Sequence, residues 1–124
     1  MVAKAIAVID DEIDLVNLFR EVLENNDFKV YAFTDPIEAF NQIKRNPTGY
    51  GLILSDYRLP SMDGNVLCTK LIDINFELKV ILMSAYENIE CDKSKFTFIR
   101  KPIKIANLVK IVKDRLAEES YTIT

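Results

Sequence analysis

The sequence predicts an α/β domain built on a doubly wound, five-stranded parallel sheet. Three observations predict it. Short apolar runs alternate with segments of helical period along the whole chain. The runs are apolar throughout, as strands covered on both faces are. Polar residues cluster where these runs end, and ligands of such sheets bind beyond the carboxyl ends of the strands.

Each element follows from a local pattern. Ala5-Ile6-Ala7-Val8-Ile9 reads as a buried first strand. From Ile13, apolar residues recur at Val16, Phe19, Val22 and Leu23, the period of an amphipathic helix. Lys29-Val30-Tyr31-Ala32-Phe33 is a second strand. Asp35-Pro36-Ile37-Glu38 starts a helix, with aspartate as cap, proline at the first helical position and glutamate three residues after the cap. Ile37, Phe40 and Ile43 form its expected buried stripe, and Asn46-Pro47 should end it. Leu52 to Ser55 is a third strand, followed by a loop closing at Asp63-Gly64. Asn65 to Ile74 is helical, with Leu67, Leu71 and Ile74 on one face. Lys79 to Met83 is a fourth strand and Phe96 to Ile99 a short fifth. Ile105, Leu108, Val109, Val112 and Leu116 mark a last helix, and Glu118 to Thr124 reads as a frayed tail.

Composition narrows the function. The chain has 124 residues, 49% of them hydrophobic and 28% charged, as in a single soluble domain. A chain of this size buries about 65% of its unfolded surface, enough for a core without staples. Net charge is −3 with no basic stripe, which argues against nucleic acid as a direct partner. No apolar run approaches the ~20 residues of a membrane span, and no signal peptide is visible. Cys68 and Cys91 stand in no metal or redox spacing and are expected to be inert, in a reducing, cytoplasmic setting. The chain has no histidine. That removes Ser-His-Asp and Cys-His catalysis within it.

The strand ends carry the chemistry. Strand one ends in Asp10-Asp11, strand three in Asp56, strand four in Ser84, and strand five in Lys101-Pro102. A carboxylate at the end of a buried strand is costly without a partner. Three together need a cation or a raised pKa. Their hard oxygens suit Mg²⁺, which often shares its site with phosphate. Lys101 and Ser84 supply a point charge and a hydroxyl donor for phosphoryl oxygens. An aspartate can act as nucleophile and form an acyl phosphate. Each residue also has a plainer reading. Asp10-Asp11 could cap a helix, Ser84 could form a turn, Lys101 could be a solvated loop lysine, and Phe98 could be plain core.

This set resembles the receiver domain of two-component response regulators, over about Lys4 to Leu116. Pro60, Met62, Asp63 and Gly64 resemble the family's loop after its phosphorylated aspartate. The resemblance implies a flavodoxin-like, chemotaxis-regulator-like sheet of order 2-1-3-4-5 in one domain spanning the chain. It implies that Asp56 accepts a phosphoryl group. It implies Mg²⁺ held by Asp11 and Asp56, by Asp10 mostly through water, and by the backbone carbonyl of Arg58. Ser84 would bond a phosphoryl oxygen, Lys101 would pair with Asp56 or its phosphate, and Phe98 would move inward with Ser84. Arg58 and Tyr86 occupy the positions where the family tunes self-dephosphorylation. The donor histidine would come from a histidine kinase or phosphotransfer protein. The expected function is a phosphorylation-dependent switch acting on a downstream protein, with a homodimer among its expected forms, and not an enzyme in its own right.

One stretch departs from the family. Between Ser84 and Lys101 the chain is about a helical turn short. The segment 86–95 has no glycine and few apolar residues, so the fourth helix is expected to be shortened or irregular. Two rivals follow. A pseudo-receiver would signal without phosphate. A Mg²⁺ phosphatase of the haloacid dehalogenase type would place its second aspartate two residues after the nucleophile, where this chain has adjacent aspartates. The chain could stand alone or be cut from a larger protein.

Overall fold

Strand parity divides the core in two. Side chains of a strand alternate between faces, so Ala5, Ala7 and Ile9 pack on one side of the sheet with Ile53, Val80 and Leu82. Ile6 and Val8 pack on the other with Leu52, Leu54, Ile81 and Met83. Both faces are covered, which explains the uninterrupted apolar runs. The computed structural model describes residues 4–86 and 96–117. Strands β1 (Ala5–Ile9), β2 (Val30–Phe33), β3 (Tyr50–Asp56), β4 (Lys79–Ser84) and β5 (Phe96–Arg100) are all parallel, in the order β2-β1-β3-β4-β5. Among the described residues the α-helices are α1 (Ile13–Asn25), α2 (Pro36–Arg45), α3 (Gly64–Ile74) and α4 (Ile105–Ala117). The fold class and strand order are those expected. The shortened helix expected within 86–95 lies, apart from Tyr86, outside the described residues, as do Cys91 and the tail.

Helix boundaries follow the local chemistry, with corrections. The Asp35 carboxylate accepts the Ile37 amide at 3.0 Å, and proline opens α2 as expected. A 3-10 turn at Pro47–Gly49 follows α2. The expected stripes miss at their first and last turns. Ile13 is 58% exposed and Ile37 49%, while Ala39 joins Ile43 in the α2 core. Ile74 is exposed and Cys68 is buried instead, and burial pushes its thiol well above the ordinary range. Ile13 stands at the outer end of α1, whereas in α2 the buried residues Pro36, Ala39 and Ile43 set the covered face and leave Ile37 beside it. No helix among the described residues is long and apolar enough to cross a membrane.

Candidate functional site

The switch in strand order lies between β1 and β3, and their carboxyl ends carry Asp10 and Asp56. Asp10 follows β1 and extends its ladder by one bond, its amide donating to the Phe33 carbonyl at 3.1 Å. That bond draws Asp10 to complete burial, while Asp11 stays exposed. Each Asp10 oxygen is used. Oδ1 accepts the Glu12 amide at 3.0 Å, and Oδ2 accepts from the Lys101 ammonium at 3.0 Å. The N-cap of α1 is Glu12 and no side chain caps it, so the bond from the Glu12 amide turns the chain ahead of the helix and the capping reading of Asp10-Asp11 does not hold.

Asp56 is the last residue of β3. Its backbone is held from two sides. The buried Ser55 hydroxyl donates to the Asp56 carbonyl at 2.9 Å. The Gly64 amide donates to the Tyr57 carbonyl at 2.6 Å, folding the loop back over the strand end. A methyl group at Gly64 would run into the Asp56 carbonyl oxygen, so this position requires glycine. Within the loop, Ser61 adopts a φ of 64°.

Lys101 reaches the site from the end of β5. Its amide donates to the Ser84 carbonyl at 2.8 Å, which continues the β4–β5 ladder and fixes where its side chain starts. The ammonium lies 3.0 Å from Asp10 and 3.4 Å from Asp56 Oδ1. The resemblance implies that it pairs with Asp56 or its phosphate, and the fold makes it a shared cation with Asp10 nearer. Burial, and then the Asp10 charge, raise the Asp56 carboxyl above the usual carboxylate range, and Lys101 offsets this only in part. Burial pulls the Lys101 ammonium down. The hydrogen bond and charge of Asp10, then those of Asp56, outweigh it and hold Lys101 above its ordinary value.

Asp10, Asp11 and Asp56 each offer a carboxylate oxygen within 4.8 Å of the others. Lys101 brings one positive charge against three negative ones. All-oxygen donors with surplus negative charge fit a hard divalent cation.

Ser84 ends β4, one residue beyond the Met83 partner of Asp56, and is buried. Its hydroxyl accepts the Tyr86 amide at 3.0 Å. Phe98 pairs with Leu82 in the β4–β5 ladder and is half-buried against the core. The Arg58 guanidinium lies 5.9 Å from the Tyr57 ring and 5.7 Å from the Tyr86 ring. The two positions flagged for tuning thus touch each other beside the site. Sequence reasoning missed Ser55. Its signal was a lone hydroxyl in an otherwise apolar strand.

The response regulator receiver domain family matches residues 6–113. The chain is 26% identical to the phosphoglycerate transport system transcriptional regulatory protein PgtA of Salmonella typhimurium, over 96% of the chain and 29% of that protein. It thus spans under a third of that regulator's length. It is 26% identical to sporulation initiation phosphotransferase F of Bacillus subtilis, over 97% of the chain and 99% of that protein. Its fold resembles that of a CheY-like receiver domain protein from Methanospirillum hungatei, with a TM-score of 0.85 at 23% identity, over 93% and 94% of the two chains.

Proposed function

This chain belongs to the response regulator receiver domain family of two-component systems, whose members accept a phosphoryl group on an aspartate, and we propose that Asp56 is that aspartate. It is a signalling phosphoacceptor domain rather than a classical enzyme. The observation that carries the assignment is the Lys101 ammonium shared between Asp10 and Asp56, with Asp11 alongside.

The chemistry follows from these groups. An ionised Asp56 oxygen attacks the phosphorus of a phosphohistidine on a histidine kinase or phosphotransfer protein. The P–N bond breaks, its electron pair stays on the imidazole, and Asp56 becomes an acyl phosphate. Asp11, Asp56 and the Arg58 carbonyl, with Asp10 mostly through water, would hold Mg²⁺, which would supply positive charge beside the transferring group. Lys101 needs only a small movement from its present contacts to pair with a phosphoryl oxygen. Ser84 donates its hydroxyl proton to another. That shift loosens its bond to the Tyr86 amide and lets Phe98, half-buried on the neighbouring strand, move inward. Arg58 and Tyr86 set water access and hence the slow loss of the phosphoryl group.

The switch operates in the cytoplasm on a downstream protein target, with a homodimer as a possible active form. A solution structure similar in fold is described as a beryllofluoride-activated receiver dimer. The test is labelling by acetyl phosphate with Mg²⁺. The parent chain takes up a phosphoryl group and Asp56→Asn does not. Continued labelling of that variant overturns the assignment. Beryllofluoride with Mg²⁺ should move the amide resonances of Ser84 and Phe98, and an unchanged spectrum counts against the switch.

A further inference from the structure

Among the described residues β2 forms one margin of the sheet, with β1 on one side and no strand on the other. In a parallel ladder, alternate residues turn both backbone groups toward the same neighbour. The Lys29 carbonyl accepts from the Ile6 amide at 2.8 Å and the Phe33 carbonyl from the Asp10 amide at 3.1 Å. Val30 and Ala32 therefore turn their N–H and C=O groups away from β1. A row of outward backbone groups is a template for another strand. A cavity of ≈ 640 Å³ runs along it, bordered by Arg20 of α1 and Arg45 of α2.

Charge selects what that strand can be. Lys4, Arg20, Lys29 and Arg45 line the cavity against a single lining carboxylate, Glu38. The chain as a whole carries −3, so this cationic excess is local. Lys4 lies 3.8 Å from Glu77 and Arg20 4.0 Å from Glu24. Both are exposed pairs, which contribute little and exchange readily. Charged residues beside an edge strand often serve only to prevent aggregation. Here they do so against a second copy, since two β2 edges would bring like cations together. The same cations attract an acidic strand. Tyr31, 42% exposed, stands beside the open backbone with its ring 5.7 Å from the Tyr50 ring and 5.4 Å from the Lys29 ammonium.

We propose that β2 is a docking edge for an extended acidic segment of a partner protein, which adds to the sheet as a sixth strand. Val30 and Ala32 supply the backbone bonds. Lys29, Arg20 and Arg45 receive its carboxylates. The surface does not use Asp56, so it stands or falls apart from the phosphoacceptor reading.

The test titrates the isotope-labelled full chain with an octapeptide of alternating glutamate and valine, blocked at both ends. The amide resonances of Val30 and Ala32 should shift and their hydrogen exchange slow. Paired charge reversal, Lys29→Glu with Arg45→Glu, should weaken binding by about tenfold or more. Ala32→Pro deletes an outward N–H, a place where an edge strand tolerates proline. It should abolish the peptide shifts while leaving labelling by acetyl phosphate intact. If Ala32→Pro does not fold, the charge-reversed variant decides. No shift at Val30 and Ala32 at millimolar peptide overturns the proposal, as do equal shifts from a lysine–valine peptide or unweakened binding to the charge-reversed chain. ATP shifting the same amides while the acidic peptide leaves them unmoved would make the cavity a nucleotide pocket, and would overturn it too.

Discussion

The carboxyl ends of β1 and β3 and the outer margin of β2 are built from the same sheet but handle charge in opposite ways. At the strand ends, charge is enclosed. Asp10 is fully buried, Asp56 and Lys101 are mostly so, and each is held by contacts of 3.0 to 3.4 Å. Along β2 the charges are mainly basic, and Lys4, Arg20 and Lys29 are held by weak contacts, two exposed ion pairs and the Tyr31 ring. Enclosed charges interact strongly and shift one another's titration; exposed ones are screened. The first arrangement suits covalent chemistry on a fixed atom. The second suits reversible, salt-sensitive binding. The bond from the Asp10 amide to the Phe33 carbonyl joins the two regions.

Substitutions can break this contrast, and the largest effect should come from Lys101. Lys101→Ala leaves Asp10 and Asp56 facing each other without their shared cation. Loss of one partner from a buried pair costs about 3 kcal/mol, which denaturant unfolding without Mg²⁺ measures. Labelling by acetyl phosphate should fall by roughly two orders of magnitude. Unchanged stability would mean that the ammonium is not enclosed as the geometry has it. Next comes Gly64→Ala. Its methyl group meets the backbone of Asp56, which cannot move without moving the proposed phosphoacceptor. The expected loss is about 2–3 kcal/mol, with slower labelling, while binding of an acidic peptide at β2 stays as in the parent.

A smaller effect concerns pH. The Asp56 carboxyl titrates above its ordinary value in the fold, so the folded state holds that proton more tightly than the unfolded chain does. Its contribution is fully present below the unfolded value and is lost as pH rises through the raised one. Asp56→Asn escapes that loss. Without divalent cations its melting temperature should exceed the parent's by roughly 2–6 °C near neutral pH, with the gap closing in acid. A gap that widens in acid would contradict the sign. Lys101 behaves oppositely in position, since its raised value makes its contribution vanish only as pH climbs past the ordinary lysine range. The smallest effect belongs to the Arg58 stack. Arg58→Ala removes contacts to two rings at a cost of about 0.5–1 kcal/mol. Its readout is the lifetime of the phosphorylated form, which should change while the rate of labelling holds.

Much of this was legible residue by residue. Asp35-Pro36 announced the start of α2 because capping is satisfied within three residues, and Ile37 indeed donates to the Asp35 side chain. The strands were legible because burial on both faces leaves continuous apolar runs. Ile13 and Ile37 were misread for a physical reason. Ile13 fits the period of its helix but stands at its outer end, and the covered face of α2 runs through Pro36, Ala39 and Ile43, which leaves Ile37 to one side. Ser55 escaped notice because its bond to the Asp56 carbonyl is a matter of backbone geometry. The shortened helix expected within 86–95 lies, apart from Tyr86, outside the described residues.

The sequence alone determined the alternation of strands and helices and the residues standing at each strand end, because both are written in periods of a few residues. Tertiary structure decided which of two adjacent aspartates is enclosed. Asp10 and Asp11 are equivalent as sequence, yet the pairing of β1 with β2 carries one bond past the strand and draws only Asp10 inward. It also decided that Lys101 serves Asp10 and Asp56 together, across a separation of 91 positions in the first case. Such choices depend on register between strands distant in the chain, and no local pattern encodes a register.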